Sequence, residues 1–279
     1  MNLKNFKLFF SHNLKNKYSA EEIDSLYFNI IEFYLGVSKI KYIQNPLLKI
    51  PDLKFNELSS KIELLKNNTP IQYILGEVNH KNLVFKITKD VLIPRPETLE
   101  LCDWIISSTK KKCDILDIGT GSGLIAIILK KYVNQSRVFA WDNSIKALEI
   151  AKKNSLDNNL EINFKELDIL KKIQIKDKFD VIVSNPPYVD KSEILSIDDN
   201  VKKFEPHSAI FVENDDNLIF YKKIIEFSKV ALNRLGVLYL ECHSDRIKSV
   251  SNLLKINNFR KIKIREDLYG RERMIKAFI

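Results

Sequence analysis

Cysteine is scarce in this chain of 279 residues, which contains only three cysteines. Cys102, Cys113 and Cys242 lie far apart in the sequence and form no Cys-x-x-Cys pair. This spacing argues against a disulfide framework and against a cysteine-bound zinc ion. We therefore expect three small, buried thiols in a protein of the reducing cytoplasm.

Long apolar runs are missing as well. The longest, residues 124–129, is much shorter than the roughly 18 residues that a membrane-spanning helix needs. The first ten residues mix Lys and Asn with apolar residues and offer no small-residue cleavage site, so we expect no signal peptide. His80, His207 and His243 are not spaced as metal ligands, and we predict no metal site.

The chain does have an excess of positive charge. It contains 45 Lys and Arg against 36 Asp and Glu, which gives a net charge of +9. Such a charge would suit a nucleic-acid or ribosomal partner. The basic residues are scattered, however, and Asn and Ile are also abundant, so a compositional drift toward Lys, Asn and Ile explains the charge equally well.

The first part of the chain, residues 1–76, has helical patterns. Ser19 and Glu22 form a capping box in front of an amphipathic helix over residues 23–37. A further helix is predicted over residues 55–67, where Asn-Asn-Thr-Pro breaks the pattern. We interpret this region as a small helical bundle without catalytic residues.

Residues 77–93 have an extended pattern, because Leu83, Phe85 and Ile87 alternate with polar residues. This predicts a β-hairpin or extended linker between two domains. From residue 94 to residue 279, strand and helix patterns alternate, which favours a mostly parallel sheet covered on both faces. Seven strands are predicted there, the last two pairing antiparallel around a tight turn at Gly270; the predicted strands cover residues 113–118, 137–141, 162–165, 179–184, 237–240, 260–264 and 273–279. The expected fold is a Rossmann-like α/β domain.

A glycine loop follows the first strand of this domain, with the sequence Asp117-Ile118-Gly119-Thr120-Gly121-Ser122-Gly123. Glycines at such a turn let the backbone approach a ligand closely. The next strand ends at Asp142, about 20 residues further on, where a carboxylate can accept hydrogen bonds from two ribose hydroxyls. Both features predict an adenosine-type cofactor, and Gly121, Gly123 and Ala126 also fit the pattern of a dinucleotide fold.

Two details favour S-adenosylmethionine, with S-adenosylhomocysteine as the product. An acid directly before the glycine loop, Asp117, is typical of methyltransferases. Asp168 follows the third strand, where it can meet an adenine ring, and Ile169 can pack on that ring. Asp168 is alternatively a turn or helix-cap residue.

The strongest functional pattern is Asn185-Pro186-Pro187-Tyr188, directly after a buried-strand pattern. Ligands of open α/β sheets bind beyond the carboxyl ends of the strands, and two prolines make this turn rigid. The Asn185 side-chain oxygen and the Pro186 carbonyl can each accept an N–H of a planar nitrogen, and Tyr188 offers a flat face to it. The motif therefore predicts methylation of a planar nitrogen, with Asn185, Pro186 and Tyr188 as catalytic residues and Pro187 as part of the acceptor site. It does not choose among adenine, guanine and glutamine nitrogens.

Further segments narrow the family. Residues 92–98 (Leu-Ile-Pro-Arg-Pro-Glu-Thr), the two motifs above and Phe204-Glu205-Pro206 together resemble the HemK/PrmC family of release-factor glutamine methyltransferases. Residues 72–76 and 270–273 also resemble segments of that family, so the resemblance spans almost the whole chain. Arg95 and Glu97 either line the entrance of the active site or pair at a domain junction. Phe204-Glu205-Pro206 either shapes the acceptor pocket or orders the loop after Tyr188.

The resemblance implies a substrate and a set of binding residues. The substrate would be the glutamine of the Gly-Gly-Gln loop in class I peptide chain release factors, methylated on its side-chain nitrogen. The cofactor would be held by residues of the glycine loop, by Asp142, Asp168 and Ile169, and by Asn185; the loop residues are Gly119, Thr120, Gly121, Ser122 and Gly123. Residues 1–76 would help to dock the release factor, and we expect a monomer.

The alternative is a methyltransferase of rRNA or DNA that acts on an exocyclic base amine. The net charge favours this function. Against it, the sequence contains no recognisable nucleic-acid-binding module and no basic patch interleaved with aromatic residues. We therefore expect no direct binding of nucleic acid.

Overall fold

The fold comes from a computed structural model of the chain. It describes residues 1–109, 112–174, 176–190, 193–194, 197–212 and 216–279. The chain divides into two compact units, Met1–Glu77 and Val78–Ile279. None of the helices in the described residues combines the length and the apolar character needed to cross a membrane.

The first unit is all-helical. Its core contains fully buried aromatic side chains, among them Phe6, Phe10 and Tyr27. Ser19 and Glu22 form the expected capping box, and Gly36 ends the same helix in the left-handed conformation. The five helices are α1 (Leu3–Leu14), α2 (Ala20–Leu35), α3 (Lys39–Gln44), α4 (Asp52–Lys66) and α5 (Ile71–Leu75). Helix α4 begins three residues earlier than its apolar pattern, because Asp52 starts it directly after Pro51 with a solvent-facing first turn.

The second unit starts with two short paired strands, β1 (Glu77–His80) and β2 (Leu83–Lys86). The two residues between them, Lys81 and Asn82, have φ values of 47° and 62°. Positive φ at both positions is the geometry of a two-residue hairpin turn that matches the twist of the strands. Residues 87–95 then run without regular secondary structure to the next helix.

A seven-stranded sheet forms the centre of the second unit, as predicted. The strands are β3 (Asp114–Ile118), β4 (Arg137–Asp142), β5 (Asn163–Glu166), β6 (Phe179–Ser184), β9 (Leu232–Glu241), β10 (Arg260–Glu266) and β11 (Glu272–Phe278). Their order in the sheet is β10-β11-β9-β6-β3-β4-β5. Five strands pair in parallel, and β11 pairs antiparallel with both β9 and β10. The mostly parallel α/β fold and its antiparallel edge are confirmed.

The longer helices pack against this sheet, and shorter elements lie between them in the sequence. The longer helices are α6 (Pro96–Ser108), α7 (Leu124–Tyr132), α8 (Ile145–Asp157), α11 (Ile219–Ala231) and α12 (Ile247–Ile256). The shorter elements are β7 (Val189–Asp190), α9 (Asp199–Phe204), α10 (His207–Ile210), β8 (Phe211–Val212) and a 3₁₀ turn at Ser244–Arg246. Strand β9 is longer than the predicted 237–240, because Leu232 is already buried and pairs with Phe179 before an irregularity in register.

The order of the strands reverses around β3, which lies between β4 and β6. At such a switch point the connections leave toward opposite sides, and a crevice opens at the carboxyl ends of the strands. The glycine loop follows β3, Asp142 ends β4 and Asn185 follows β6. The topology therefore brings the three predicted motifs to one edge of the sheet.

Candidate active site

The glycine loop has a backbone that other residues would strain. Gly119, Gly121 and Gly123 have φ values of 74°, 55° and 83°, in the left-handed region that glycine adopts without cost. A Cβ at Gly123 would also lie 3.1 Å from Ile127 and 3.2 Å from the Cβ of Ala151. Gly123 therefore serves the close packing of α7 on α8, and Gly119 and Gly121 shape the loop itself.

Asp142 joins this loop to the end of β4. Its carboxylate accepts hydrogen bonds from the backbone N–H of Gly121 at 2.8 Å and of Ser144 at 2.9 Å. Burial raises the pKa of Asp142, and these N–H groups oppose the rise. The carboxylate is thus held in one orientation at the rim of the crevice.

A second acid, Asp117, lies beneath the loop and is completely buried. One of its oxygens accepts from the Thr120 hydroxyl at 2.7 Å and from the Ala126 N–H at 3.2 Å. The other oxygen has no hydrogen-bond partner among the described residues. Burial raises the pKa of Asp117 to about 7. The sequence identified Asp117 only as part of a motif, and this buried anchoring of the loop was missed.

A cleft collects nearly all of the predicted cofactor residues. The loop, Asp142, Asp168, Ile169 and Asn185 line it together. Gly123 is not among the lining residues and lies under the loop. Asp168 accepts from the Leu170 N–H at 2.9 Å, so it is a turn residue and also lines the cleft. Ile169 is buried and belongs to the apolar core at this edge.

The Asn185 turn continues the same cleft on the other side of β3. The Asn185 Nδ2 group donates to Thr98 Oγ1 at 3.1 Å, and Thr98 in turn donates to Glu241 Oε2 at 2.7 Å. Pro186 and Pro187 line the cleft beside Asn185. Burial raises the pKa of Tyr188 to about 12, so this side chain stays a neutral phenol. Thr98 and Glu241 were missed as partners of Asn185, although a charged residue at the end of an apolar run was a visible signal for Glu241.

A second hollow adjoins the cleft. Leu92, Arg95, Asn185 and Ala209 line both spaces, so Asn185 lies where the two meet. On the far side, Tyr188, His243 and Arg273 line the second hollow. The rings of Tyr188 and His243 lie 5.8 Å apart between centroids. The geometry is that of a site with two compartments and Asn185 at their junction.

Glu205 fixes the segment that separates these compartments. Its side chain is 1% exposed. It accepts from the Ile93 N–H at 3.2 Å and from the Arg95 guanidinium at 2.5 Å. Arg95 and Glu205 pair with each other and tie residues 93–95 to the chain after Tyr188. Arg95 also lines the site.

Comparisons with known proteins agree with this fold. Residues 103–204 match the family model of the methyltransferase small domain. A solved methyltransferase from Pyrococcus furiosus shares the fold with a TM-score of 0.54 and 19% identity, covering 79% of this chain and 98% of its own. A 16S rRNA methyltransferase of T. thermophilus, solved in complex with AdoMet and guanosine, has a TM-score of 0.53 and 14% identity, covering 72% of this chain and 49% of its own. The fold and the matching family model therefore define a Rossmann-like methyltransferase.

A longer match defines the particular family. A release factor glutamine methyltransferase of Flavobacterium psychrophilum is 41% identical over 282 residues, covering 99% of this chain and 99% of its own. The chain belongs to the release factor glutamine methyltransferase family. The resemblance that the sequence motifs indicated is confirmed.

Proposed function

We propose that this protein transfers a methyl group from S-adenosylmethionine to the side-chain nitrogen of the glutamine in the Gly-Gly-Gln motif of class I peptide chain release factors. Membership of the family supports the substrate. The single observation that supports this chemistry is the location of Asn185, whose side chain lies at the junction of two compartments. One compartment has the residues for a methyl donor and the other has room for an acceptor.

The residues of the first compartment fit S-adenosylmethionine. The backbone of Gly119, Thr120, Gly121 and Ser122 would hold its amino-acid part, and the Asp142 carboxylate would accept from its ribose hydroxyls. Asp168 and Ile169 would meet the adenine ring, with Ile169 as its apolar contact. When bound, S-adenosylmethionine supplies a methyl group on a positively charged sulfur.

Residues at the junction of the two compartments address the weakness of an amide as a nucleophile. An amide nitrogen has a delocalised lone pair and gains positive charge as it is methylated. The Asn185 oxygen and the Pro186 carbonyl would each accept one N–H of the glutamine side chain, which turns the lone pair toward the methyl group. A hydrogen bond to a charged group contributes about 1.5–3 kcal/mol, so the two together would accelerate the reaction roughly a hundredfold or more.

Tyr188 and Pro187 complete the acceptor site in this proposal. The Tyr188 ring offers a flat apolar face to the planar amide. Pro187, together with Pro186, keeps the turn rigid, so Asn185 and Tyr188 hold their spacing. The methylated nitrogen is acidic and releases its proton to water, so the mechanism needs no general base.

We propose a separate role for the N-terminal helices, residues 1–76, in docking the release factor. Several large apolar side chains of this unit are exposed; they include Leu8 (64%), Ile40 (68%), Ile43 (66%), Leu47 (64%) and Leu53 (86%). Apolar side chains that form a contiguous exposed patch mark surfaces that bind a partner protein, and we propose that these residues contribute to such a patch. We further propose that the protein acts as a monomer on its substrate, without direct binding of nucleic acid.

The test is a transfer assay with methyl-labelled S-adenosylmethionine and an intact class I release factor. We expect label on the wild-type release factor and none on a variant whose Gly-Gly-Gln glutamine is replaced by Ala. Ribosomal RNA and DNA serve as competing acceptors in the same assay. Label on RNA or DNA, and not on the release factor, would reject the proposal in favour of a nucleic-acid methyltransferase.

A further inference from the structure

A buried chain of hydrogen bonds ends at Asn185. It starts at Glu241, the last residue of β9, which is 2% exposed. Thr98, in the first turn of α6 and 5% exposed, connects Glu241 to the Asn185 side chain. Strand pairing supports the arrangement, because Ser184 of β6 lies opposite Leu240 of β9. The residues after these two, Asn185 and Glu241, are therefore neighbours at the edge of the sheet.

The donor and acceptor count allows one orientation of the Asn185 amide. An ionised carboxylate can only accept, so the Thr98 hydroxyl must give its one proton to Glu241. The Thr98 oxygen is then an acceptor, and only the NH₂ group of Asn185 can donate to it. The Asn185 oxygen is left over, because the NH₂ group takes the bond to Thr98.

From this geometry we infer that Thr98 and Glu241 are positioning residues, which hold the Asn185 amide with its oxygen available to the acceptor nitrogen. The inference deepens the proposed function and rests on it. If the Asn185 amide turned over, its N–H groups would face the nitrogen that is to be methylated. That nitrogen carries N–H groups of its own, and two hydrogen-bond donors repel each other. A fixed orientation removes that inactive state before the acceptor binds.

The orientation of the Asn185 amide also depends on the charge of the Glu241 carboxyl. Burial raises the pKa of the Glu241 carboxyl to about 7. Protonated Glu241 can itself donate to Thr98, which frees the Thr98 hydroxyl to act as a donor. The Asn185 amide can then turn over, and its oxygen accepts from Thr98 and is occupied. The groups around Glu241 are Glu97 on α6, which raises its pKa further, and Arg95 and Arg273, which lower it. Four other titratable side chains face it: Cys102, Tyr188, Tyr221 and Cys242.

The first test removes the Thr98 hydroxyl at nearly constant volume. In Thr98→Val we expect kcat for methylation of the release factor to fall about tenfold to a hundredfold. Because Thr98 also lines the cofactor cleft, the affinity for S-adenosylmethionine should fall no further than in Asn185→Ala. Thr98→Ser, which restores the hydroxyl, should recover most of the loss. Thr109→Val at the other end of α6 is the matched control and should retain wild-type kcat. Wild-type kcat in Thr98→Val would overturn the inference.

The second test follows kcat at saturating S-adenosylmethionine against pH. In the wild type, kcat should fall as the pH is lowered through about 7, because Glu241 gains a proton. Glu241→Gln cannot titrate and offers Thr98 both a donor and an acceptor, so it should have a lower kcat and a flatter profile. An acid limb of the same size in the wild type and in Glu241→Gln would contradict the role of Glu241.

A third measurement does not depend on the acceptor and therefore separates this inference from the proposed function. In protein labelled with ¹⁵N-asparagine, the side-chain NH₂ signal of Asn185 is identified by its loss in Asn185→Ala. We expect one of its protons to be protected from exchange with solvent in the wild type and in Thr98→Ser, and unprotected in Thr98→Val. Equal exchange in all three proteins would overturn the inference even if the release factor is methylated.

Discussion

The two compartments of the site are built in different ways. On the donor side, the bonds that shape the site are local: Thr120 bonds to Asp117 three residues away, and Gly121 bonds to Asp142 over 21 residues. On the acceptor side, Asn185 bonds to Thr98 over 87 residues, Arg95 to Glu205 over 110 and Thr98 to Glu241 over 143. The donor side is thus mostly a property of one strand-loop-helix unit. The acceptor side depends on the complete fold.

The largest effect should come from the residue at the junction. In Asn185→Ala, one of the two proposed acceptors for the substrate N–H is lost, and we expect methyl transfer to fall by about a hundredfold or more. Affinity for S-adenosylmethionine should be reduced and still measurable, because the donor side remains. Single-turnover transfer and calorimetric titration measure the two effects, with Asn257→Ala at the end of α12 as the control. Wild-type turnover in Asn185→Ala would contradict the mechanism.

A change on the donor side should have the opposite signature. In Asp142→Asn, the carboxylate that would hold the ribose hydroxyls is lost, and we expect the Kd for S-adenosylmethionine to rise about tenfold to a hundredfold. At saturating S-adenosylmethionine, kcat should stay within a few-fold of wild type. Calorimetry and steady-state kinetics give both numbers. A large fall in kcat with unchanged Kd would contradict a donor side that binds the cofactor and an acceptor side that promotes methyl transfer.

A smaller effect is expected from a change at Glu205, which supports the acceptor side. Glu205→Gln keeps an oxygen for the Ile93 N–H and loses the ion pair with Arg95. We expect the KM for the release factor to rise about threefold to tenfold, because residues 93–95 lose one anchor. The Kd for S-adenosylmethionine should stay at its wild-type value. A change in Kd alone would place the Arg95–Glu205 pair with the donor side.

The smallest effect concerns stability and pH on the donor side. The pKa of Asp117 is raised from 3.8 to about 7 by burial, so the folded protein binds a proton that the unfolded chain releases between these values. Its contribution to stability is therefore present at low pH and is lost as the pH rises to about 7. In Asp117→Asn this loss is absent, and the Tm of the variant relative to wild type should increase by a few degrees between about pH 4 and pH 7. A constant or opposite difference across this range would show that Asp117 is ionised in the folded protein even at low pH.

The same contrast between local and long-range construction explains what the sequence could predict. The glycine loop, Asp142 and the Asn185 turn each follow a strand whose apolar pattern is clear, and their common location follows from the parallel order of the strands. Thr98 carries no such local signal, and Glu241 carries only that of a charged residue at the end of an apolar run. Their roles follow from the pairing of β6 with β9 and the placement of α6, which bring residues 98, 185 and 241 together only in the folded chain.

Element boundaries differ from the sequence for a related reason. Residues 124–132 form helix α7, where the apolar pattern and the glycine before it agree on the start of the helix. Strand β9 begins at Leu232 and not at residue 237, because pairing with Phe179 extends it through a polar stretch that has no strand pattern of its own. Tertiary pairing decides such positions, and local propensity does not.

The most direct test of the central claim is to map the methyl group on the acceptor. A class I release factor is incubated with the protein and S-adenosylmethionine, digested, and its peptides are analysed by tandem mass spectrometry. The account predicts the added mass of one methyl group on the side chain of the Gly-Gly-Gln glutamine, and its absence when Asn185→Ala replaces the wild type. A methyl group on any other residue would contradict the account.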